Sequence, residues 1–198
     1  MKNLDISLTK SIELVSNSND VFIQENFEKY ESYSINREEG KELEPFNLTE
    51  DVVYKNLYDN KEESFEGRLI GGCIDALRII CGTEFDNTID FCNQFDEGMI
   101  WYLENCEMSV ADLYRTFWQM KNAGWFKNAN AFLIGRTRAN EPIGEFTYED
   151  VLHSIFDDMN VKVIYDVDFG TMSRLGQRLG QIHNNSLDTS TRKGLYHK

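Results

Sequence analysis

Positive charge is what this sequence has least of. Twenty Lys and Arg stand against 34 Asp and Glu in 198 residues, a formal net charge of −14. A balance this acidic argues against nucleic acid as a partner, because phosphate recognition needs clustered cations. It equally disfavours an anionic membrane surface. No run of 18 apolar residues occurs, so no transmembrane helix is expected. The opening MKNLDISLTKSIELV lacks the apolar stretch of a secretory signal. Only four cysteines are present, Cys73, Cys81, Cys92 and Cys106, and none forms a C-x-x-C pair. They are expected to be reduced thiols of a cytoplasmic protein. There is no G-x-G-x-x-G and no G-K-[ST], so no phosphate loop is supported. Metal-ligand spacing is missing too, apart from Asp166-x-Asp168 near a strand end, a pattern that is as often a cap. No metal or organic cofactor is therefore expected. Histidine is scarce. His153 falls off the apolar stripe of its segment, and His183 and His197 lie in a polar tail.

What is present is enough apolar material for a core, 41% hydrophobic and 13% aromatic. The N-terminal third is weakly patterned. Apolar residues at 8, 12 and 15 suggest a short helix, and the aromatic-rich stretch 22–35 suggests one or two strands. Residues 36–64 read as a long, partly extended connection around Pro45. Order begins at Phe65. EGRLIGG reads as a strand and CIDALRIICG as a helix ending at Gly82. Thr88 to Phe95 reads as a short helix, and Met99 to Leu103 as a strand buried on both faces. Ser109 and Asp112 fit a capping box for a helix whose stripe is Val110, Leu113, Phe117 and Met120, closed by Gly124. AFLIG at 131–135 is a second buried strand. Thr147 caps a helix with stripe Val151, Leu152, Ile155 and Met159, and VKVIYDV is the last strand. Strands alternating with helices predict an α/β domain with parallel pairing. Tyr114, Phe117, Trp118, Trp125 and Phe126 read mainly as core. An excess of aromatics around Trp101, Trp118 and Trp125 also suits a dimer face.

The stretch GMIWYLENCE, residues 98–107, poses a question. A buried apolar run stops abruptly at Glu104. In open α/β folds sites are built at the carboxyl ends of strands. On spacing alone Glu104 is either a site carboxylate or an acid favoured by the dipole of the next helix. Gly71-Gly72-Cys73 raises another possibility, a nucleophile elbow with Cys for Ser, its thiol acidified at a helix N-terminus. The alternative is a small buried hydrophobe.

GRLIGGCIDALRIICGTEFD, IWYLENCEMSVADLYRTFWQMKNAGWF, AFLIGR and VIYDVDFG follow one another in this order. The series resembles the C-terminal domain of the LD-carboxypeptidase family, serine peptidases that include the microcin C self-immunity proteins. The resemblance covers about residues 1–170. It implies a layered β/β/α domain of the swivelling type, with residues 65–170 as its body and 1–64 as the connection from a nucleophile-bearing N-terminal domain. It also implies a hydrolase cleaving the amide beside a terminal D-residue of peptidoglycan peptides, or related links in peptide antibiotics. In such enzymes Ser comes from a Gly-x-Ser-Asp elbow, while the C-terminal domain supplies Glu and His. Glu104 then takes the place of the triad acid. The His follows a Gly in a segment like Asp-x-Asp-Ile-Gly-His, and here Asp166 to Thr171 places Thr171 at that position. No Gly-x-Ser-Asp occurs in the 198 residues. The chain alone is thus expected to be inactive, with a peptide substrate bound only by a complete enzyme. The other expectation is a non-catalytic domain that homodimerises or docks onto a separately encoded N-terminal half.

Residues 171–198 are polar, little patterned and comparatively basic. They are expected to be disordered and foreign to the domain. A shift of reading frame near Gly170, turning His-Asn into Thr-Met, is one hypothesis for their origin, and the coding DNA tests it.

Overall fold

A computed structural model of the protein describes residues 16, 21–23, 27–32, 38–42, 44–59, 64–137, 140–169, 185–188 and 193–197. Ten strands are described: β1 (Val21–Ile23), β2 (Lys29–Tyr30), β3 (Glu50–Asp51), β4 (Lys55–Asn56), β5 (Ser64–Cys73), β6 (Met99–Glu104), β7 (Ala129–Gly135), β8 (Lys162–Val167), β9 (Asn185–Asp188) and β10 (Lys193–His197). Four helices are α1 (Ile74–Ile80), α2 (Thr88–Cys92), α3 (Val110–Asn122) and α4 (Tyr148–Phe156). The main sheet has the order β1-β9-β10-β5-β6-β7-β8-β4, and β2 pairs with β3 separately. Strands β5 to β8 are parallel neighbours, joined through helices as the alternating pattern requires. The antiparallel strands lie on either side of that parallel block.

All four helices contribute to one core on one face of the sheet. Met99, Trp101 and Leu103 of β6 meet Phe117 and Met120 of α3 and Val151 and Ile155 of α4 there. Trp101 stacks on Trp125 at 5.7 Å and meets the edge of Phe126 at 5.4 Å. Such pairs add about 0.5–1.5 kcal/mol beyond burial. A smaller core covers the opposite face, from Ile100, Leu133, Ile164, Val167 and Phe169, with Tyr54 above them. Two buried faces explain why β6 reads as an unbroken apolar run.

The helix signals act as the residues suggest. The Ser109 side chain accepts from the Asp112 N–H at 3.3 Å, although its partner carboxylate accepts from the Ser109 hydroxyl and so closes no full box. Thr147 and Asp150 form the reciprocal box at α4. Helix α2 stops at Cys92, short of the expected Phe95, and Met159 packs on the core from beyond the end of α4. The helix expected over residues 8–15 lies outside the described residues. Trp101 and Trp125 are interior, which removes two of the three tryptophans assigned to a dimer face, while Trp118 is exposed.

The tail needs correction. Residues 185–188 and 193–197 are strands, not disordered chain, and β10 pairs with β5 from Lys193↔Arg68 to His197↔Ser64. The outer edge of β5 has unpaired backbone groups to satisfy, and a polar segment meets that need as well as an apolar one. The rest of 171–198 lies outside the described residues.

Between β5 and β6 the backbones approach closely. A Cβ on Gly71 (φ +149°) would lie 1.8 Å from the Tyr102 carbonyl oxygen, whereas Gly40 (φ +81°) faces open space. Gly71→Ala is expected to cost roughly 2–4 kcal/mol through overpacking against fixed backbone, and Gly40→Ala about 1 kcal/mol through φ alone. Urea unfolding of both variants checks this. Equal losses would show that the close approach is not required.

Candidate functional site

Side chains alternate along β6, so Glu104 shares a face with Ile100 and Tyr102, opposite the helices. It is the last residue of the strand and half-buried. A Cβ on Gly135 would lie 3.2 Å from the Glu104 Cβ, 2.8 Å from the Phe169 carbonyl oxygen and 3.1 Å from the Phe169 ring. The absent side chain thus lets three strand ends converge. Glu104 and the segment that leads to residue 171 meet over Gly135. The Phe169 ring sits edge-on to Tyr102 at 6.2 Å.

The loop after Glu104 is tied down by groups that the sequence reading did not single out. Asp75 of α1 accepts the N–H of Cys106 at 2.9 Å and of Glu107 at 3.3 Å. Asn105 is fully buried, accepting the Met108 N–H at 3.0 Å and donating to the Met108 carbonyl at 2.8 Å. A short polar residue between a strand end and a helix cap was the available signal for Asn105. Asp75 carried none, since acids in first helical turns are common.

Strand β8 ends in an irregularity. Leu133 pairs with Ile164 but Gly135 pairs with Val167, so the register shifts, and Asp166 takes φ +57°. Asp166 and Asp168 then part company. Asp166 pairs with Lys55 at 3.0 Å, while Asp168, at 0% exposure, pairs with Arg136 at 3.1 Å. The Arg136 guanidinium lies 3.5 Å over the Tyr30 ring, and its backbone N–H donates to Val167. Removing one partner of such a buried pair typically costs about 3–5 kcal/mol. The pair therefore pins the turn on which Phe169 sits. It also takes the Asp-x-Asp spacing away from metal binding, and no group of three His, Cys, Asp or Glu among the described residues is placed to hold a metal ion.

Cys73 lies opposite Glu104 in the β5–β6 register. The expected acidification at the helix N-terminus is reversed. Burial pushes the thiol up to about 11, and the Glu104 charge adds to that, outweighing the N–H groups of Asp75 and Ala76. Its Sγ donates to Asp75 at 3.6 Å. His153 is on the exposed side of α4, paired with Asp157 at 2.9 Å. Thr171 and His183 lie outside the described residues, and His197 ends β10.

The sequence profile of the LD-carboxypeptidase C-terminal domain matches residues 66–174, more than half of the chain. The chain belongs to the LD-carboxypeptidase family. Solved structures share its α/β fold. The microcin C7 self-immunity protein MccF in the wild-type apo state is 22% identical with a TM-score of 0.66, over 98% of this chain and 55% of that one. MccF in complex with glutamyl sulfamoyl guanosine is 21% identical, with the same TM-score and coverage. An MccF-like protein from Streptococcus pneumoniae in complex with AMP is 17% identical with a TM-score of 0.61, over 100% of this chain and 59% of that one. No curated protein matches. The chain thus spans about 55% of the length of its MccF neighbours. No described helix is long and apolar enough to cross a membrane.

With its thiol at about 11, Cys73 is expected to react slowly with iodoacetamide at neutral pH, roughly a hundredfold below a thiol of ordinary acidity. Its labelling, followed by peptide mass spectrometry, should still be rising above pH 10. A plateau below pH 8 would mean an activated thiolate.

Proposed function

We propose that this chain is the triad-acid-bearing part of an LD-carboxypeptidase-like serine hydrolase acting on peptidoglycan peptides or related peptide antibiotics. The observation that supports this reading most is the placing of Glu104. It ends a central parallel strand of a domain matched to this family, on the face where the segment leading to residue 171 arrives. A carboxylate there suits the task of holding an imidazole in one tautomer and stabilising its charged form. Serine would attack the scissile carbonyl, the imidazole would take its proton, and water would resolve the acyl-enzyme. Asp166 and Asp168 shape the turn that carries the base position. The antibiotic branch draws support from the MccF complex with glutamyl sulfamoyl guanosine.

Two parts of that machinery are lacking in the 198 residues: Thr171 stands where the family has His, and no Gly-x-Ser-Asp is present. Threonine is no general base near neutral pH. The chain by itself is accordingly inactive, and activity requires a nucleophile supplied from elsewhere and an imidazole at 171. Apolar exposure on the helix layer at Ile79, Phe85 and Trp118 favours a second reading, a non-catalytic dimerisation or docking domain.

The purified chain is expected to release no D-residue from a peptidoglycan tetrapeptide above the level of a Glu104→Ala variant. Thr171→His, mixed with a family nucleophile domain, should show hydrolysis that Glu104→Ala lowers by roughly 10³–10⁴-fold. Hydrolysis by the unaltered chain alone, or restored hydrolysis indifferent to Glu104, would refute the assignment. A stable dimer with no activity in either mixture would favour the docking reading.

A further inference from the structure

Where α1 meets α3, the helix layer leaves large apolar side chains in solvent. Ile79 is 72% exposed, Phe85 73% and Trp118 55%. Gln119 of α3 joins the two helices there, its amide donating to the Cys81 carbonyl at 3.2 Å. Ile79 lies in the last turn of α1 just before Cys81, and Trp118 adjoins Gln119. Phe85 follows in the next turn, which Asp86 ties to the end of α3 by accepting from Trp125 Nε1 at 2.7 Å. Apolar groups gathered in this way mark association surfaces. Charge is distributed unevenly around them. Towards the amino end of α3, Arg115 lies three residues before Trp118 on the same side of the helix, and Arg78 adjoins Ile79. These two guanidiniums have one carboxylate between them, Asp112, which Arg115 meets at 3.0 Å and which feels the charge of Arg78. Towards the carboxyl end, α2 packs by Gly124, where an added Cβ would lie 3.3 Å from Ile89. Glu84 and Asp90 are exposed on that side, and neither has a cation partner among the described residues. The patch thus has a basic end and an acidic end, roughly 13 Å apart along α3 at 1.5 Å per residue.

We propose that this patch is a two-fold interface with a second copy of the chain. A two-fold axis across the helices brings the same patch together on both copies and reverses its direction. Trp118, Phe85 and Ile79 then meet their counterparts at the centre, and the Arg78 and Arg115 end of each copy faces the Glu84 and Asp90 end of the other. An apolar centre with Trp, ringed by charge, is the usual anatomy of a protein interface. Complementary charge within one patch selects a copy of the same chain over an unlike partner, and offsets locally the repulsion between two molecules of net charge −14. A nucleophile domain is not the occupant, because its serine has to reach Glu104, on the opposite face of the sheet. This partner rests on the docking reading given above, and the hydrolase reading does not depend on it.

Sedimentation equilibrium on the 198-residue chain tests it, with far-UV circular dichroism to confirm that each variant is folded. The unaltered chain is expected to be a dimer at concentrations on the order of 100 µM. Trp118→Ala and Phe85→Ala, both at exposed positions, should each raise the dimer dissociation constant by about tenfold or more. Arg115→Glu and Glu84→Arg should each weaken the dimer, and the double variant, whose net charge is that of the unaltered chain, should recover most of the loss. A monomer at that concentration overturns the proposal. So does an open-ended polymer, because a two-fold contact closes on itself. A dimer indifferent to Trp118→Ala and Phe85→Ala overturns it too, and would leave the docking reading standing on another face. A double variant no tighter than the single ones overturns the reversed arrangement of the two copies.

Discussion

The period of two along β6 is the constraint from which the site follows. Met99, Trp101 and Leu103 must face the helices, because the large aromatic core is there. Ile100 and Tyr102 are then committed to the other face, and Glu104 with them. A one-residue slip would bury Glu104 against Phe132 and Ile134 and expel Trp101 from its stack on Trp125. The core therefore fixes the direction in which the carboxylate leaves the strand. Gly135 completes the arrangement by leaving room for Glu104 and Phe169 to meet.

Around that fixed point the loops are held by buried polar groups. Asp75 and Asn105 immobilise the chain just after Glu104, and the Arg136–Asp168 pair immobilises the turn beside it. Buried charge is tolerated here because each member has a partner of opposite sign and the guanidinium also has an aromatic face to lie on. The shift of register at Asp166 turns Asp168 inward towards Arg136. Rigid placement of a carboxylate and of a neighbouring turn suits the orienting role proposed for Glu104, since misplacement by an ångström is costly to catalysis.

The body of the fold was legible in the sequence because its signals are local and strong. Helices α3 and α4 each combine a clear period with a cap, and β6 is an unbroken apolar run. The tail was not legible. A strand that pairs by its backbone, as Lys193–His197 does with Ser64–Arg68, need not show an apolar stripe. Cys73 misled in the opposite sense, because position at a helix N-terminus is visible in a sequence and burial is not. Glu104 stood out by its abrupt place after an apolar run, and the role proposed for it rests on family resemblance. Arg136 and Asp168 were invisible as a pair, being 32 residues apart and joined only by the parallel pairing of β7 with β8.

The central proposal is that Glu104 serves as the acid partner of the base position that Thr171 occupies in the sequence. The most direct measurement is an NMR titration of the imidazole introduced by Thr171→His, with and without Glu104→Gln. A carboxylate in place should raise that imidazole above the ordinary value of about 6.5, and Glu104→Gln should lower it by about one unit. The sign follows from the charged form being the one that Glu104 stabilises. An imidazole that titrates identically in both proteins would place Glu104 away from position 171 and contradict the account.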